Sequence, residues 1–428
     1  MRRRLLAGMG ANSVGMAMST GMQLASLPLF LYYWDTATYG SWLIVSAIPA
    51  YLSMADVGMV TAAGNKMTMA MGKGDGTEAN RVFQSAQLFI AVVCSGIAML
   101  AIPLALFAPL PGLNGTDMRI AVALLSSSVL FSLFGGLYEV VFKATQRYAT
   151  ATMLGNLSRL TEWLGMMLGL HLFGTFTAVA LGGLVCRISS ISLGMWLAHR
   201  GDHLLRWGVA AADRNEIRSM ASPALSFMAF PMANALSFQG VTLLVAYLLG
   251  PATVAIFSTY RTLSRFAVQA TALISHALWP EFSALFGRGD ISKLRKVFHK
   301  TALVGVAQAV LLSAVLYPLA PWLLMQWTHG AIAYIPSLMA CMLLYAAIAG
   351  SWHIPRVLMM ATNQHSDIAT WSIVCAAITV VLAWLLGQTQ EVNGVALGML
   401  LGEAAIALIC LRLALRLLSV PKIQAATS

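Results

Sequence analysis

Twelve long apolar stretches dictate what this chain can fold into. They run approximately over residues 8–33, 39–63, 82–108, 119–143, 150–172 and 176–198, then 222–249, 253–279, 301–325, 333–359, 368–387 and 393–412. A helix rises 1.5 Å per residue, so about 20 residues cross the roughly 30 Å of hydrocarbon in a bilayer. The stretches are too long for the roughly 10-residue strands of a membrane barrel and lack their alternation. The expected fold class is an all-α polytopic membrane protein with about twelve transmembrane helices. Composition agrees: of 428 residues, 59% are hydrophobic and 10% charged, against roughly 25% charged in soluble domains.

Orientation follows from the basic residues, which accumulate in cytoplasmic connections. Nearly all of the 26 Lys and Arg fall at the two termini and in the even-numbered connections, from Lys66, Lys73 and Arg81 to Arg288, Lys293, Arg295, Lys296 and Lys300. The opposite side has Arg119. Both termini are expected in the cytoplasm. The net charge of +11 then reflects topology and contact with anionic lipid headgroups, and no nucleic-acid partner is expected. The Met1-Arg2-Arg3-Arg4 start precedes an apolar run reaching about Tyr33, longer than a secretory signal and without a small-residue cleavage site, so it reads as a retained first span.

The five cysteines, Cys94, Cys186, Cys341, Cys375 and Cys410, lie inside predicted spans with no Cys-x-x-Cys pair, so neither metal nor disulfide chemistry is expected. The sequence holds no Gly-rich phosphate loop, His-Glu-x-x-His or Gly-x-Ser-x-Gly. No catalytic residue is assigned, and the chain is not expected to be an enzyme. A membrane-embedded polysaccharide-processing enzyme is the enzyme-class alternative. It calls for a sizeable extramembrane loop or a dense acid and His cluster, whereas the longest outer connection spans only about residues 109–118.

The two halves of the sequence repeat one another. Gly72-Lys73-Gly74-Asp75, followed by Arg81-Val82-Phe83, returns as Gly287-Arg288-Gly289-Asp290 and Lys296-Val297-Phe298. Ala144-Thr145-Gln146 returns as Ala361-Thr362-Asn363, and Val179-Ala180-Leu181-Gly182 as Val395-Ala396-Leu397-Gly398. Three matches in order, at nearly constant offset, divide the chain into lobes 1–215 and 216–428 of six spans each. Six is even, so both lobes enter the membrane from the same side. A parallel repeat of this kind implies pseudo-symmetric lobes around a central cavity and a transporter that works by alternating access. A structural or receptor-like membrane protein is the bland alternative.

Once the cations assigned to the two membrane sides are set aside, Arg356 among the cytoplasmic ones, four arginines remain inside spans: Arg159, Arg187, Arg261 and Arg265. Charge on a lipid face is costly, so these are expected to face the bundle interior or a wet cavity. Ser258, Arg261, Arg265, Gln269, Ala272 and His276 step by three or four residues along one narrow helical face, a polar stripe about 27 Å long. No acid lies on that stripe. Its guanidiniums are therefore candidate binders of an anionic head, with Arg159 and Arg187 as further candidates. The alternative is pairing with Glu403, Glu162 or Asp56. Arg159 and Glu162, three residues apart, are placed to pair along their helix. Glu162 and Glu403 are candidate coupling or ion-pair acids. Arg187 and Glu403 follow the repeated Val-Ala-Leu-Gly and so sit at related depths in the two halves. Asn12, Ser19, Gln23 and Ser26 share one face of span one, and Ser46, Ser53 and Asp56 one face of span two. Of these, Asn12, Gln23 and Asp56, with Gln269 and His276, are candidate polar cavity residues. The competing reading of such stripes is interhelical hydrogen bonding.

Thr38-Tyr39-Gly40-Ser41-Trp42, the run Pro49-Ala50-Tyr51-Leu52-Ser53-Met54-Ala55-Asp56-Val57-Gly58, Ala277-Leu278-Trp279-Pro280-Glu281 and Ala361-Thr362-Asn363-Gln364-His365 give the chain a family character. It resembles the polysaccharide flippases of the multidrug/oligosaccharidyl-lipid/polysaccharide exporter superfamily. The resemblance covers the whole chain, and its motifs are diffuse. It implies movement of undecaprenyl-diphosphate-linked O-antigen or exopolysaccharide repeat units across the bacterial inner membrane, with membrane lipids and polysaccharide polymerase machinery as partners. Twelve spans suit this branch, whereas the lipid II branch typically has fourteen. No cofactor is implied, and turnover would draw on Na⁺, H⁺ or the membrane potential. The drug-exporting branch, a drug/cation antiporter, often has an acid in its first span, and residues 8–33 contain none.

The topology is open to a direct check. Cysteines introduced at Thr116 and Gln390 are expected to label from outside intact cells, and those at Thr77 and Ser292 only from the cytoplasm. Labelling of Thr77 from outside overturns the orientation.

Overall fold

The computed structural model describes residues 2–108, 115–201, 206–362, 364 and 366–419. These residues are helical almost throughout. In chain order the helices are α1 (Arg2–Tyr33), α2 (Thr36–Ala50), α3 (Met59–Gly72), α4 (Gly76–Phe107), α5 (Thr116–Ala144), α6 (Tyr148–Phe173), α7 (Phe176–Gly201), α8 (Arg214–Ala235), α9 (Val241–Leu249), α10 (Pro251–Gly287), α11 (Ile291–Thr328), α12 (Pro336–Ser351), α13 (His353–Ala361) and α14 (Ser366–Ser419). Nine helical stretches among the described residues are long and apolar enough to cross a membrane, with α2–α3, α8–α9 and α12–α13 each contributing one interrupted stretch. The charge-bearing α6 and α10, of 26 and 37 residues, add two. In α14, Glu391 (φ 52°, ψ −134°) breaks the helix into two arms, 366–390 and 392–419. Twelve spans result, as expected. Their lipid-facing character is plain on α4 and α11, where Val92, Met99, Leu100, Phe107, Leu303 and Trp322 are exposed. A water-soluble surface does not carry such apolar bands.

The chain divides into two compact units, Met1–Pro231 and Met232–Ser428. The division falls inside α8 and not at 215–216, because the start of α8 is bound into the first unit. Glu216 forms ion pairs with Lys66 and with Arg81, the latter at 3.5 Å. Met220 belongs to the first unit's core, and Ile217 packs against it. Residues 206–213, which precede α8, are fastened to one face of α4. Arg206 N donates to Asn80 Oδ1 (2.7 Å), Gly208 N to Gln87 Oε1 (3.0 Å), Ala211 N to Gln84 Oε1 (2.6 Å) and Asp213 N to Ser85 Oγ (2.9 Å). Gln84 Nε2 returns a bond to Arg206 O (3.0 Å), and Trp207 stands edge-on to Phe83.

The repeated motifs become repeated local structures. Gly74 and Gly289 adopt φ +79° and +70°, values that a side chain resists. Each follows a helix end and lets the next residue turn into a new helix. Asp75 N then donates to Ala70 O, and Asp290 N to Leu285 O, at 3.0 and 3.1 Å. Each aspartate caps the helix that starts beside it: Glu78 N donates to Asp75 Oδ1 at 2.9 Å and Lys293 N to Asp290 Oδ1 at 3.0 Å. Thr145 and Thr362 likewise bond the carbonyls of Val141 and Leu358 four residues back.

The third repeat marks two backbone crossings, one in each unit. A methyl group on Gly165 of α6 or Gly182 of α7 would lie within 3.0 Å of the other's carbonyl oxygen, and one on Gly398 would lie that close to the backbone of Ala383 in the facing arm of α14. Val179, Ala180, Val395 and Ala396 beside them are buried. Small residues at such crossings give close helix contact where lipid supplies no hydrophobic drive.

Gly182→Ala and Gly398→Ala are therefore expected to destabilise by about 1–3 kcal/mol, the usual cost of overpacking. Gly21→Ala, with nothing within 4 Å of the added carbon, is the neutral control. Thermal unfolding of the purified variants in detergent measures the difference.

Candidate functional site

In the first unit α6 lies against α1. Asn156 Nδ2 donates to Ala11 O at 3.0 Å, and Gly15 leaves room for the Asn156 amide, which a methyl there would meet at 2.5 Å. One turn further along, the two helices part around a cavity of about 320 Å³. Ser19, Met22, Gln23 and Ser26 of α1 and Arg159, Glu162, Trp163 and Met166 of α6 line it. A relay crosses the gap: Trp163 Nε1 donates to Ser26 Oγ (2.8 Å), which donates to Met22 O (2.6 Å).

Glu162 does not pair with Arg159, as the three-residue spacing suggested. Its Oε2 takes the guanidinium of Arg187 on α7, with the two side chains 11% and 18% exposed. The close crossing at Gly165 and Gly182 brings α7 alongside Glu162, where a carbon added at Gly183 would meet the Glu162 side chain at 3.6 Å. Arg187 is thus held by an acid of its own unit. Arg159 is exposed on the cavity wall and makes no ion pair among the described residues.

In the second unit the expected polar stripe of α10 meets a π-helical turn, Leu236–Gly240. Such a turn takes carbonyls off the regular ladder. Phe238 O accepts from Arg261 Nη1 (3.0 Å) and from Thr242 Oγ1 (2.9 Å), while Arg261 Nη2 donates to Thr242 Oγ1 (2.8 Å). Arg261 is 3% exposed, and its guanidinium lies 3.7 Å from the Phe238 ring centre. Both of its Nη groups are engaged by the protein, where the sequence suggested two guanidiniums equally open to an anion. Arg265 is half-buried, 5.0 Å from the same ring. Neither arginine forms an ion pair among the described residues.

Glu403 does not bridge to Arg265. Its Oε1 accepts from Trp352 Nε1 at 2.7 Å, and it also takes a hydrogen bond from Tyr345 of α12, which lies within electrostatic reach of Arg261 and Arg265. Arg356 of α13 stands over the Trp352 ring. Opposite charges at related depths, Arg187 and Glu403, are thus each held inside their own unit.

The remaining candidates scatter. Asp56 turns its carboxylate to Gly58 N (3.2 Å), at a break in span two where Val57 adopts φ 50° and Gly58 φ 77°. Asn12 is exposed on α1, and Gln269 is half-buried on α10. The side chain of His276 lies outside the described residues. No group of three or more His, Cys, Asp or Glu among the described residues is arranged to hold a metal ion, and all five cysteines are free thiols. Trp163, Tyr345, Trp352, Arg356 and the Phe238 turn were not singled out from sequence. The one signal for Trp163 was its place beside Glu162 on a helix carrying both charges.

Removing one partner of a buried ion pair leaves an uncompensated charge, at about 3–5 kcal/mol. Glu162→Gln is expected to lower thermal stability by a sizeable part of that, because the pair is still partly exposed. The double variant Glu162→Gln with Arg187→Gln is expected to recover most of it. Equal stability of wild type and Glu162→Gln in thermal unfolding overturns the pair's structural role.

No family model matches this chain, and no curated protein matches it. Solved structures do. An inward-facing structure of a multidrug-resistance MATE-family transporter of the MOP superfamily superposes with a TM-score of 0.80 at 13% identity, over 93% of this chain and 94% of that one. An outward-facing structure of such a transporter gives 0.64 at 12% identity, over 97% and 94%. A MOP-superfamily transporter from Pyrococcus furiosus, for which reverse polarity of the binding pocket suggested a different function, gives 0.66 at 11% identity, over 97% and 94%. The chain therefore has the fold of the MATE-type transporters of the MOP superfamily.

Proposed function

We propose that this chain is an alternating-access transporter that flips undecaprenyl-diphosphate-linked oligosaccharide repeat units across the bacterial inner membrane, for O-antigen or exopolysaccharide synthesis. The observation that carries this reading is that the guanidiniums of Arg261 and Arg265, inside a span of the second unit, have no carboxylate partner among the described residues; Arg159 in the first unit is a further such group, open to another part of the polar head. A diphosphate must shed hydration to cross hydrocarbon. Planar guanidiniums replace that hydration with charge-assisted, often bidentate contacts. The polyprenol can stay in lipid throughout. The described part of the first span contains no acid that would attract a cationic substrate.

The two arginines of α10 take different parts. Arg265 contacts the diphosphate, and Arg261 holds the π turn that sets Phe238 beneath it. Both termini lie in the cytoplasm, where the basic connections meet anionic headgroups. Translocation needs no cofactor. Glu403, held by the neutral donors Trp352 and Tyr345, is the carboxylate suited to coupling with H⁺ or Na⁺, and the membrane potential is the other available drive. Polysaccharide polymerase machinery receives the product.

A drug/cation antiporter is the second reading. It is favoured by the neighbouring structures, which are of multidrug-resistance transporters.

Reconstitution into liposomes decides between them. Flipping of a labelled undecaprenyl-diphosphate oligosaccharide is expected. Arg265→Ala is expected to slow it about 10-fold or more, in keeping with about 1.5–3 kcal/mol for hydrogen bonds to a charged group, at normal abundance. Arg261→Ala is expected to lower abundance first. Export of a cationic dye without lipid flipping establishes the antiporter.

A further inference from the structure

The cavity between α1 and α6 offers an unusual combination of chemistry. Trp163 lines it, yet its indole N–H is already given to Ser26, whose own proton is given to Met22 O. What Trp163 can present to a ligand is apolar ring surface, in an orientation fixed by that relay. Beside it stands Glu162, whose carboxylate keeps acceptor lone pairs after Arg187 has taken Oε2. Opposite in character is Arg159, an exposed planar donor with no carboxylate partner among the described residues. The wall thus joins an aromatic face, hydroxyl-proton acceptors and guanidinium donors within about 320 Å³.

We infer that this cavity is the sugar subsite of the transporter, taking a pyranose ring of the lipid-linked glycan; the inference rests on the flippase reading above. A pyranose has C–H bonds on its faces and hydroxyls round its rim. The face packs on an aromatic ring, and the hydroxyls need acceptors and donors side by side. The lining argues against the other occupants. A diphosphate would use the guanidinium of Arg159 and leave the Trp163 ring and the remaining Glu162 acceptor positions idle. A lipophilic cation would find the one carboxylate already paired with Arg187 and the Arg159 guanidinium beside it. A sugar, being neutral, is indifferent to the small net charge and uses all three groups. Ser26 acts as a positioning residue, because its hydroxyl holds the indole without reaching for the ligand.

The test uses the full chain in lipid nanodiscs and three probes: undecaprenyl diphosphate, the same lipid bearing an N-acetylhexosamine-containing trisaccharide, and ethidium. Wild type is expected to bind the trisaccharide lipid at least about tenfold more tightly than the sugar-free lipid, a difference of about 1.4 kcal/mol. Trp163→Ala is expected to abolish that preference and leave the affinity for undecaprenyl diphosphate unchanged, while Trp163→Phe, which keeps a ring, retains most of it. Arg159→Gln, at an exposed position with no ion pair to lose, is expected to reduce the preference at normal abundance, which keeps the test valid should Trp163→Ala fail to fold. Equal loss on both lipids in Arg159→Gln overturns the sugar assignment in favour of a diphosphate site. An unchanged preference in Trp163→Ala and Arg159→Gln, or ethidium displaced by neither lipid but lost in these variants, also overturns it. Wild type that binds neither lipid defeats the flippase reading itself.

Discussion

Hydrocarbon offers a polypeptide no hydrogen-bond partner, and the architecture of this chain answers that single constraint. Each span closes its backbone bonds internally as a helix. At several interruptions a side chain attends the break. Phe238 O in the π turn is met by Arg261 and Thr242. Gly58 N, after the break in span two, is met by Asp56. The first N–H groups of α7, at Phe176 and Thr177, are met by Asp117 of α5, both at 2.9 Å. Polar residues that look like binding groups in a hydropathy profile are in several cases serving the backbone. The residues left over, Arg159 and Arg265, are the ones with capacity for something else.

The same constraint explains the glycines. Without water to expel, helices gain from approaching until their backbones touch, and only residues lacking a side chain permit this. The crossing at Gly165 and Gly182 does more than pack α6 on α7. It brings Arg187 to Glu162 and so neutralises the one acid on the cavity wall. The corresponding crossing at Ala383 and Gly398 joins the arms of α14, where the residue related to Arg187 is Glu403, and it finds Trp352 instead. One scaffold, used twice, carries opposite charges at equivalent places.

The spans, their number and the three repeats were legible because length and local spacing encode them. Helix limits such as Thr116–Ala144 and Pro336–Ala361 fall within a few residues of the apolar runs. The partners of the charges were not legible. Spacing tells which residues share a face of one helix, and that suggested Arg159 for Glu162; the true partner was chosen by a neighbouring helix whose approach depends on two glycines seventeen residues apart. Burial was hidden for the same reason. Arg261 and Arg265 are equivalent on a helical wheel, and only the π turn against α10 separates an enclosed guanidinium from an open one. The break within span two also escaped notice, since Val57 is not a residue that signals a turn, although it adopts positive φ; the kink at Glu391 falls in the connection expected between 387 and 393.

The segment 206–213 is held in a way that tolerates substitution. Its fastening to α4 is made by its own main chain: four of the five bonds use its N–H groups and the fifth uses a carbonyl. Recognition of this kind is blind to most of the side chains in the segment. The information resides in Asn80, Gln84, Ser85 and Gln87, so substitutions in the loop that keep its backbone path leave the fastening intact, whereas changes to these four side chains release it. A connection between two repeated halves can in this way vary in sequence without loosening its hold.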